Sequence, residues 1–376
     1  MKITIATGPT FPIPTQRGGA VQRLWEVLAE EFVARRHEVT IFARSYPGQP
    51  SHEVIRGIRF VRWGGYDQST SIKTDLVRCL FYALRASCRI PAADIVVTND
   101  FWTPAVLPLL RPRAGRIIVN ANRFPKGQYQ LYGRVAALAA ASGPVARAII
   151  REVPQLAART AVVPNCIAPA FLRPVAERRV TSKVRVLFVG RLHPEKGLRL
   201  LADGLRELAR RGAADWECVL IGPWAEAAGG GGAGFREEIQ RRLQGLPVRF
   251  EEPVYDPAQL VASYDAADIF IYPSQAELGE SFGIAPLEAM ARGTVTVVSD
   301  LDVFRDYLQP GVNGELFDHR SAEAAGTLAR TLRGLIDSPQ RRAGLAVAGR
   351  STAEKFSPSA VAEIYISLFR QLLPPS

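Results

Sequence analysis

The chain reads as an α/β protein made of two doubly wound domains. Three observations predict this. Strand-like and helix-like segments alternate from the first residue, a second alternation begins near Val184, and 376 residues exceed what a single core usually serves.

In order, Met1–Thr7 is a first strand with no charged leader or cleavage site before it, so a signal peptide is not expected. A Pro-rich loop, Gly8 to Gln16, leads to Gly18-Gly19. The segment Ala20–Arg36 places Val21, Leu24, Trp25, Leu28, Phe32 and Val33 on one helical face. Val39–Ala43 and Ile58–Arg62 are strands, Leu76–Ser87 is a helix, and Asp94–Thr98 and Arg116–Asn120 are parallel strands. Ala170–Pro174 and the charged stretch to Lys183 read as a linker. The expected domains are therefore residues 1–172 with 356–376, and residues 173–355. In the second domain Val184–Val189 is a strand, Asp268–Ser274 a buried strand stopped by Pro273, Ala285–Arg292 a helix closed by Gly293, and Thr294–Ser299 the next strand. Gly229–Gly234 reads as a plain flexible loop. The last helix starts at Ser357-Pro358, with an apolar face of Val361, Ile364, Tyr365, Leu368, Phe369 and Leu372.

Composition narrows the class. Apolar residues make up 47%, as in a globular domain. No run of about 20 apolar residues exists; the most apolar tract, Val135–Ile150, is interrupted by Gly143, Pro144 and Arg147. Cys79, Cys88, Cys166 and Cys218 are scattered, which argues for free thiols in a reducing cytoplasm and against zinc. The net charge of +11 reads first as an Arg-rich solvated surface. The sharper alternative is peripheral attraction to an anionic membrane, such as the inner face of the plasma membrane, through Arg78, Arg85 and Arg89, Arg111, Arg113 and Arg116, or Arg147 and Arg151. No nucleic-acid module is present, so nucleic acid is not expected as a partner.

Two segments carry chemistry. Glu280-Ser-Phe-Gly-Ile-Ala-Pro-Leu-Glu288 places two carboxylates eight positions apart across a strand–loop–helix junction. That edge of an α/β sheet is where ligands bind. The backbone N–H groups of Phe282, Gly283 and Ile284 fall at the helix start, where orphan donors attract anions. The second segment, Val184 to Gly197, is a strand followed by a Gly190-Arg191 turn and then Lys196. Arg191 can grip a diphosphate as a planar fork and Lys196 as a point charge. The combination suits a nucleotide diphosphate joined to a polyol. The absence of Gly-x-Gly-x-x-Gly weakens a dinucleotide reading. Asp300-Leu-Asp302 reads as a helix-capping loop rather than a metal site, so no metal is expected.

These motifs resemble the family-four retaining glycosyltransferases of the GT-B fold. The likeness rests on Gly190-Arg191…Glu195-Lys196-Gly197 followed by Glu280…Glu288-Ala-Met-Ala-Arg-Gly293. Gly18-Gly19, Arg36-His37-Glu38-Val39, Val163-Pro-Asn165, Leu220-Ile-Gly222 and Asn313-Gly314 support it. The resemblance implies two Rossmann-like domains facing a cleft, with the C-terminal helix crossing back to the first. It implies a nucleotide sugar as co-substrate, no further cofactor, and retention at the anomeric carbon. Arg191, Lys196 and Glu280 would be catalytic. Donor binding would use Gly18, Gly19, Gly190, Arg191, Lys196, Gly222, Phe282, Gly283, Ile284 and Glu288, with Glu288 taking the ribose hydroxyls and Glu280 the sugar hydroxyls. Many relatives place a histidine after a first-domain strand, whereas Ile117–Gln128 has none. Asn99, Trp102, Asn122, Arg123 and Lys126 are the candidates for the acceptor side, with Asn120 a further option for the missing histidine. The acceptor would be a saccharide, a lipid-linked saccharide or a small molecule. Alternative readings are another enzyme of this fold, such as a sugar-nucleotide epimerase or phosphorylase, or a basic non-catalytic protein that binds membrane or nucleic acid.

Overall fold

The computed structural model describes residues 1–14, 19–69, 71–175 and 182–374. Along the chain run β1 Lys2–Ala6, α1 Ala20–Ala34, β2 Glu38–Ala43, β3 His52–Ile55, β4 Ile58–Arg62, α2 Ile72–Ser87, β5 Ile95–Thr98, α3 Thr103–Leu110, β6 Arg116–Ala121, β7 Ala137–Ala140, α4 Gly143–Glu152 and β8 Thr160–Val162. Then come β9 Val184–Val189, α5 Leu198–Arg210, β10 Trp216–Ile221, α6 Gly232–Leu243, β11 Val248–Glu251, α7 Pro257–Asp265, β12 Ile269–Tyr272, α8 Ile284–Ala291, β13 Val295–Ser299, β14 Glu315–Phe317, α9 Ala324–Ile336, α10 Pro339–Glu354 and α11 Pro358–Leu372. The chain divides into one unit of Met1–Cys166 with Pro358–Ser376, and a second of Ile167–Ser357.

The first unit holds an eight-stranded sheet ordered β3-β4-β2-β1-β5-β6-β7-β8. It is parallel except for the β3–β4 hairpin. Strands β1, β5 and β7 are almost wholly buried runs, as parallel strands covered on both faces should be. Helix α11 lays Val361, Tyr365 and Phe369 against α1, with Trp25 and Tyr365 centroids 5.2 Å apart and Phe32 and Phe369 5.7 Å apart. Ile364 points outward, 38% exposed, and is not part of the packed face. Arg35 caps the contact by donating to Glu363 Oε1 and Ser359 Oγ.

Several expectations shift. The boundary falls at 166/167 rather than 172/173, because Phe171 packs on Tyr264 and Arg292 donates to the carbonyl oxygens of Phe171, Arg173 and Pro174. Ala170–Pro174 is therefore anchored chain, and residues 176–181 of the expected linker lie outside the described residues. Helix α2 starts at Ile72, not Leu76, because Ser71 Oγ accepts from Thr74 N. The apolar tract Val135–Ile150 is strand β7, a turn, and α4 capped by Ser142. Among the described residues no helix is long and apolar enough to cross a membrane.

The first-unit sheet changes direction between β1 and β5. Asp100 follows β5 there. Its Oδ1 accepts from the N–H groups of Trp102 and Thr103, while its Oδ2 is buried without a partner. Tyr82 OH is likewise orphaned. Burial pushes the Asp100 carboxyl above the ordinary carboxylate value, against the pull of the Thr103 and Trp102 donors. The folded state then holds the Asp100 proton more tightly than the unfolded chain. That stabilisation is complete below the free-carboxyl value and is lost as pH rises through the raised one.

Two outcomes are expected. Phe369→Ala should cost about 3–5 kcal/mol by opening a cavity between α1 and α11, read by denaturant titration. Asp100→Asn keeps the Oδ1 acceptor but carries no charge. It should melt higher than wild type at about pH 8, with the gain shrinking as pH falls through the raised Asp100 value and the wild-type carboxyl takes its proton.

Candidate active site in the second unit

The second sheet is ordered β11-β10-β9-β12-β13-β14 and is parallel throughout. Its order reverses between β9 and β12, so the loops leaving these two strands open a crevice at their carboxyl ends. The turn 190–197 follows β9 and the loop 273–283 follows β12.

Backbone crowding holds the two loops together. Gly222, at φ 155, lies so close to Gly190 that a Cβ there would sit 1.8 Å from the Gly190 carbonyl oxygen. Gly197, at φ 71, would place a Cβ 1.8 Å from the Pro273 carbonyl oxygen. Only glycine fits either position. The Glu195 carbonyl oxygen accepts from Gln275 N at 2.8 Å and from Ser274 Oγ at 3.4 Å. His193 Nδ1 accepts from Glu195 N, so this histidine caps the short turn at Pro194–Lys196.

At the centre, Lys196 Nζ donates to Glu280 Oε2 at 2.8 Å, and both residues are buried. Tyr272 OH donates to the same oxygen at 3.1 Å and Ser274 Oγ at 3.4 Å. The Lys196 ammonium also lies 5.3 Å from the Tyr272 ring centroid. Burial, reinforced by the Glu280 carboxylate, raises the Tyr272 phenol well above its usual value and keeps it a donor. Lys196 and Glu280 were expected to serve different parts of a ligand. In this structure they are each other's partners, as two charges in so dry a place must be.

Arg191 lies at the exposed rim. It donates to Glu195 Oε1 and, at 2.6 Å, to the Gly229 carbonyl oxygen. The Gly229–Gly234 run is therefore more than a flexible loop. Gly230 packs against the Trp224 backbone too closely for a Cβ, and α6 begins at Gly232.

Gly283, at φ 77, sits before α8 with its carbonyl oxygen taking a 2.9 Å hydrogen bond from Tyr307 OH. The first turn of α8 has neither a side-chain cap nor an acidic residue. Its orphan N–H groups, near Phe282 and Ile284, can therefore serve an anion. Half-buried Glu288 accepts from Tyr264 OH at 3.2 Å. Asp300 does not cap a helix: its two oxygens take Arg305 Nε and Nη2 at 2.6 and 2.7 Å, and that fork lowers its carboxyl value. Asn313 ties the loop after Tyr307 to Thr352 of α10.

The first unit places the other candidates differently. Gly18 lies outside the described residues. Gly19, at φ 96, is the N-cap of α1. Asn99 is consumed internally, accepting from Trp25 Nε1 and Asn120 Nδ2 and donating to the Ala6 carbonyl oxygen. Trp102 Nε1 donates to the Leu76 carbonyl oxygen and its ring packs on Phe101. Both are half-buried, with these polar groups paired inside the first unit. Asn122 keeps a buried, unpartnered Oδ1, and Arg123 and Lys126 are exposed. Sequence reading passed over Glu195, Tyr264, Tyr272, Ser274 and Asp100. The signal for Tyr272 and Ser274 was their place at the end of a buried strand, directly above the crevice.

The chain is similar to known proteins. Residues 174–352 match the family model described as Glycosyl transferases group 1. A phosphatidyl-myo-inositol mannosyltransferase of Mycolicibacterium smegmatis is 33% identical over 179 residues, 47% of this chain and 42% of that protein. The chain thus aligns with less than half the length of this relative. Among solved structures, sucrose-phosphate synthase from Thermosynechococcus elongatus superposes with a TM-score of 0.73 at 21% identity, over 99% of this chain and 98% of that one. An Anabaena protein solved with UDP and glucose gives 0.70 at 17% identity, over 99% and 100%. These two likenesses show a fold of two Rossmann-like α/β domains. The match to the group 1 glycosyltransferases thus falls on residues 174–352, in the second unit.

Proposed function

We propose that the protein transfers a sugar from a nucleotide-diphosphate sugar to an acceptor hydroxyl, with retention at the anomeric carbon. The acceptor would be a cell-envelope saccharide, lipopolysaccharide or glycolipid precursor. One observation carries the reading: the buried Lys196–Glu280 pair stands beside Arg191 and the uncapped start of α8, at the point where the sheet reverses.

Breaking the anomeric C–O bond leaves an oxocarbenium-like sugar and a diphosphate that gains negative charge. Groups that meet this charge lower the barrier. Lys196, Arg191 and the α8 amides supply positive potential without a metal ion. An arriving diphosphate competes with Glu195 for Arg191, and Lys196 can keep Glu280 while its remaining protons turn to phosphate. Glu280, fixed by Tyr272 and Ser274, accepts from donor sugar hydroxyls. Glu288, oriented by Tyr264, accepts from the ribose. No carboxylate nucleophile is assigned on the acceptor side, so the leaving phosphate itself takes the acceptor proton as the new bond forms on the same face. The mannosyltransferase name of the mycobacterial relative supports sugar transfer, and the Anabaena neighbour solved with UDP and glucose supports a nucleotide-sugar donor.

Removing one such cation should lower kcat about 10²–10³-fold. Lys196→Ala also strands a buried carboxylate, at a cost of about 3–5 kcal/mol in stability. The double variant Lys196→Met with Glu280→Gln separates the two effects: it should recover folding stability and stay inactive. Wild-type turnover in that variant, with diphosphate release as the readout, would refute the assignment. UDP, GDP or ADP should raise the melting temperature at low salt, by about 2.7 kcal/mol of stabilisation at a hundredfold excess over Kd. Glu288→Ala should weaken that shift. Absence of any shift with all three nucleotides would count against the reaction class.

A further inference from the structure

Helix α2 carries two apolar faces. Cys79, Tyr82, Ala83 and Ala86 point into the first-unit core. On the opposite side Val77, Phe81, Leu84 and Cys88 recur at i, i+4, i+7 and i+11, one continuous helical stripe facing solvent. Val77 and Phe81 are each 56% exposed and Leu84 is 40% exposed. Scattered apolar residues on a surface need no explanation, but a contiguous stripe does. The patch extends beyond α2. Arg111 donates to the carbonyl oxygens of Ser87 and Ile90, which brings the end of α3 against the end of α2, and there Leu109 and Leu110 are 58% and 49% exposed.

The stripe is flanked by cations. Lys73, Arg78 and Arg85 stand against Asp75 alone within α2, and Arg89 follows directly. Arg78 stacks over the Tyr66 ring at 4.2 Å and Arg89 over the Trp63 ring at 4.5 Å, so two of these cations are held in place beside the stripe. Arg113, just beyond α3, is exposed. At 16 residues, α2 is about 24 Å long.

We infer that the outer face of α2, with the end of α3, docks the protein on an anionic lipid surface. Phe81, Val77 and Leu84 would enter the headgroup–acyl boundary while Lys73, Arg78, Arg85 and Arg89 meet lipid phosphates. An apolar stripe with basic flanks is the pattern of a helix lying in a membrane interface. A second copy of this chain suits the face poorly, because a two-fold contact sets the same patch against itself and would bring cations of one flank close to cations of the other copy. A nucleic acid would meet the charges but leave the stripe in water. This inference stands on α2 and does not depend on the transfer reaction.

Cys88 offers a direct test, since Cys79, Cys166 and Cys218 are buried and Cys88 is exposed within the stripe. The full chain, labelled at Cys88 with a polarity-sensitive fluorophore, should shift to the blue with vesicles of equimolar phosphatidylglycerol and phosphatidylcholine. It should not do so with phosphatidylcholine alone. Unlabelled protein should co-sediment with the anionic vesicles and release at high salt. Val77→Ser with Phe81→Ser, and separately Lys73→Glu with Arg85→Glu, should each cut the partition at least about tenfold while keeping the wild-type melting curve. Binding independent of phosphatidylglycerol, or unchanged partition in the folded Val77→Ser/Phe81→Ser variant, would overturn the inference. So would a dimer that this variant dissociates while vesicle binding persists, since the face would then belong to a second copy.

Discussion

The second unit is organised around one buried ion pair, Lys196 with Glu280. Two charges taken this far out of water are tolerable only when each is matched and the carboxylate has further donors. Tyr272 and Ser274 supply those donors from the end of β12. The pair spans 84 residues of chain and fixes the β9 turn against the β12 loop. Everything proposed for the donor side, from the Arg191 fork to the start of α8, takes its position from that closure.

The glycines around the pair make the closure sterically possible. Gly197 against Pro273 and Gly222 against Gly190 are approaches that no side chain would allow. Gly283 turns the chain into α8 in a left-handed conformation and leaves the helix start bare of any cap. The uncapped start of α8 leaves orphan N–H groups that an incoming anion would satisfy, which is a physical reason to expect a binding site here and not merely a packed corner.

The first unit obeys a different constraint. Its α11 comes from the far end of the sequence, yet it shares a core with α1 through Trp25, Phe32, Tyr365 and Phe369. The reversal point of its sheet is occupied by an internal polar network of Asn99, Asn120 and Trp25, with Asp100 and its buried Oδ2 beside it. Polar residues at a loop above a strand look alike in sequence whether they face a ligand or one another. Asn99 and Trp102 turned inward, whereas Arg123 and Lys126 remain on the surface.

What the amino-acid order determined by itself was local and periodic. Buried strands announced themselves as short apolar runs, helices as single apolar faces, and the Gly-Arg…Lys and Glu…Glu motifs by chemistry at fixed spacing. Partnership was not legible. That Lys196 spends a hydrogen bond on Glu280, that Glu195 holds Arg191, that Gly229 lends a carbonyl oxygen to the same guanidinium, and that Arg292 draws Phe171–Pro174 into the second unit all depend on loops meeting across a sheet. The outward stripe of α2 belongs with these. Periodicity shows that a helix has an apolar face, but α2 has two, and only the packed structure decides which one the core leaves in water, because burial is a property of neighbours and not of the helix alone.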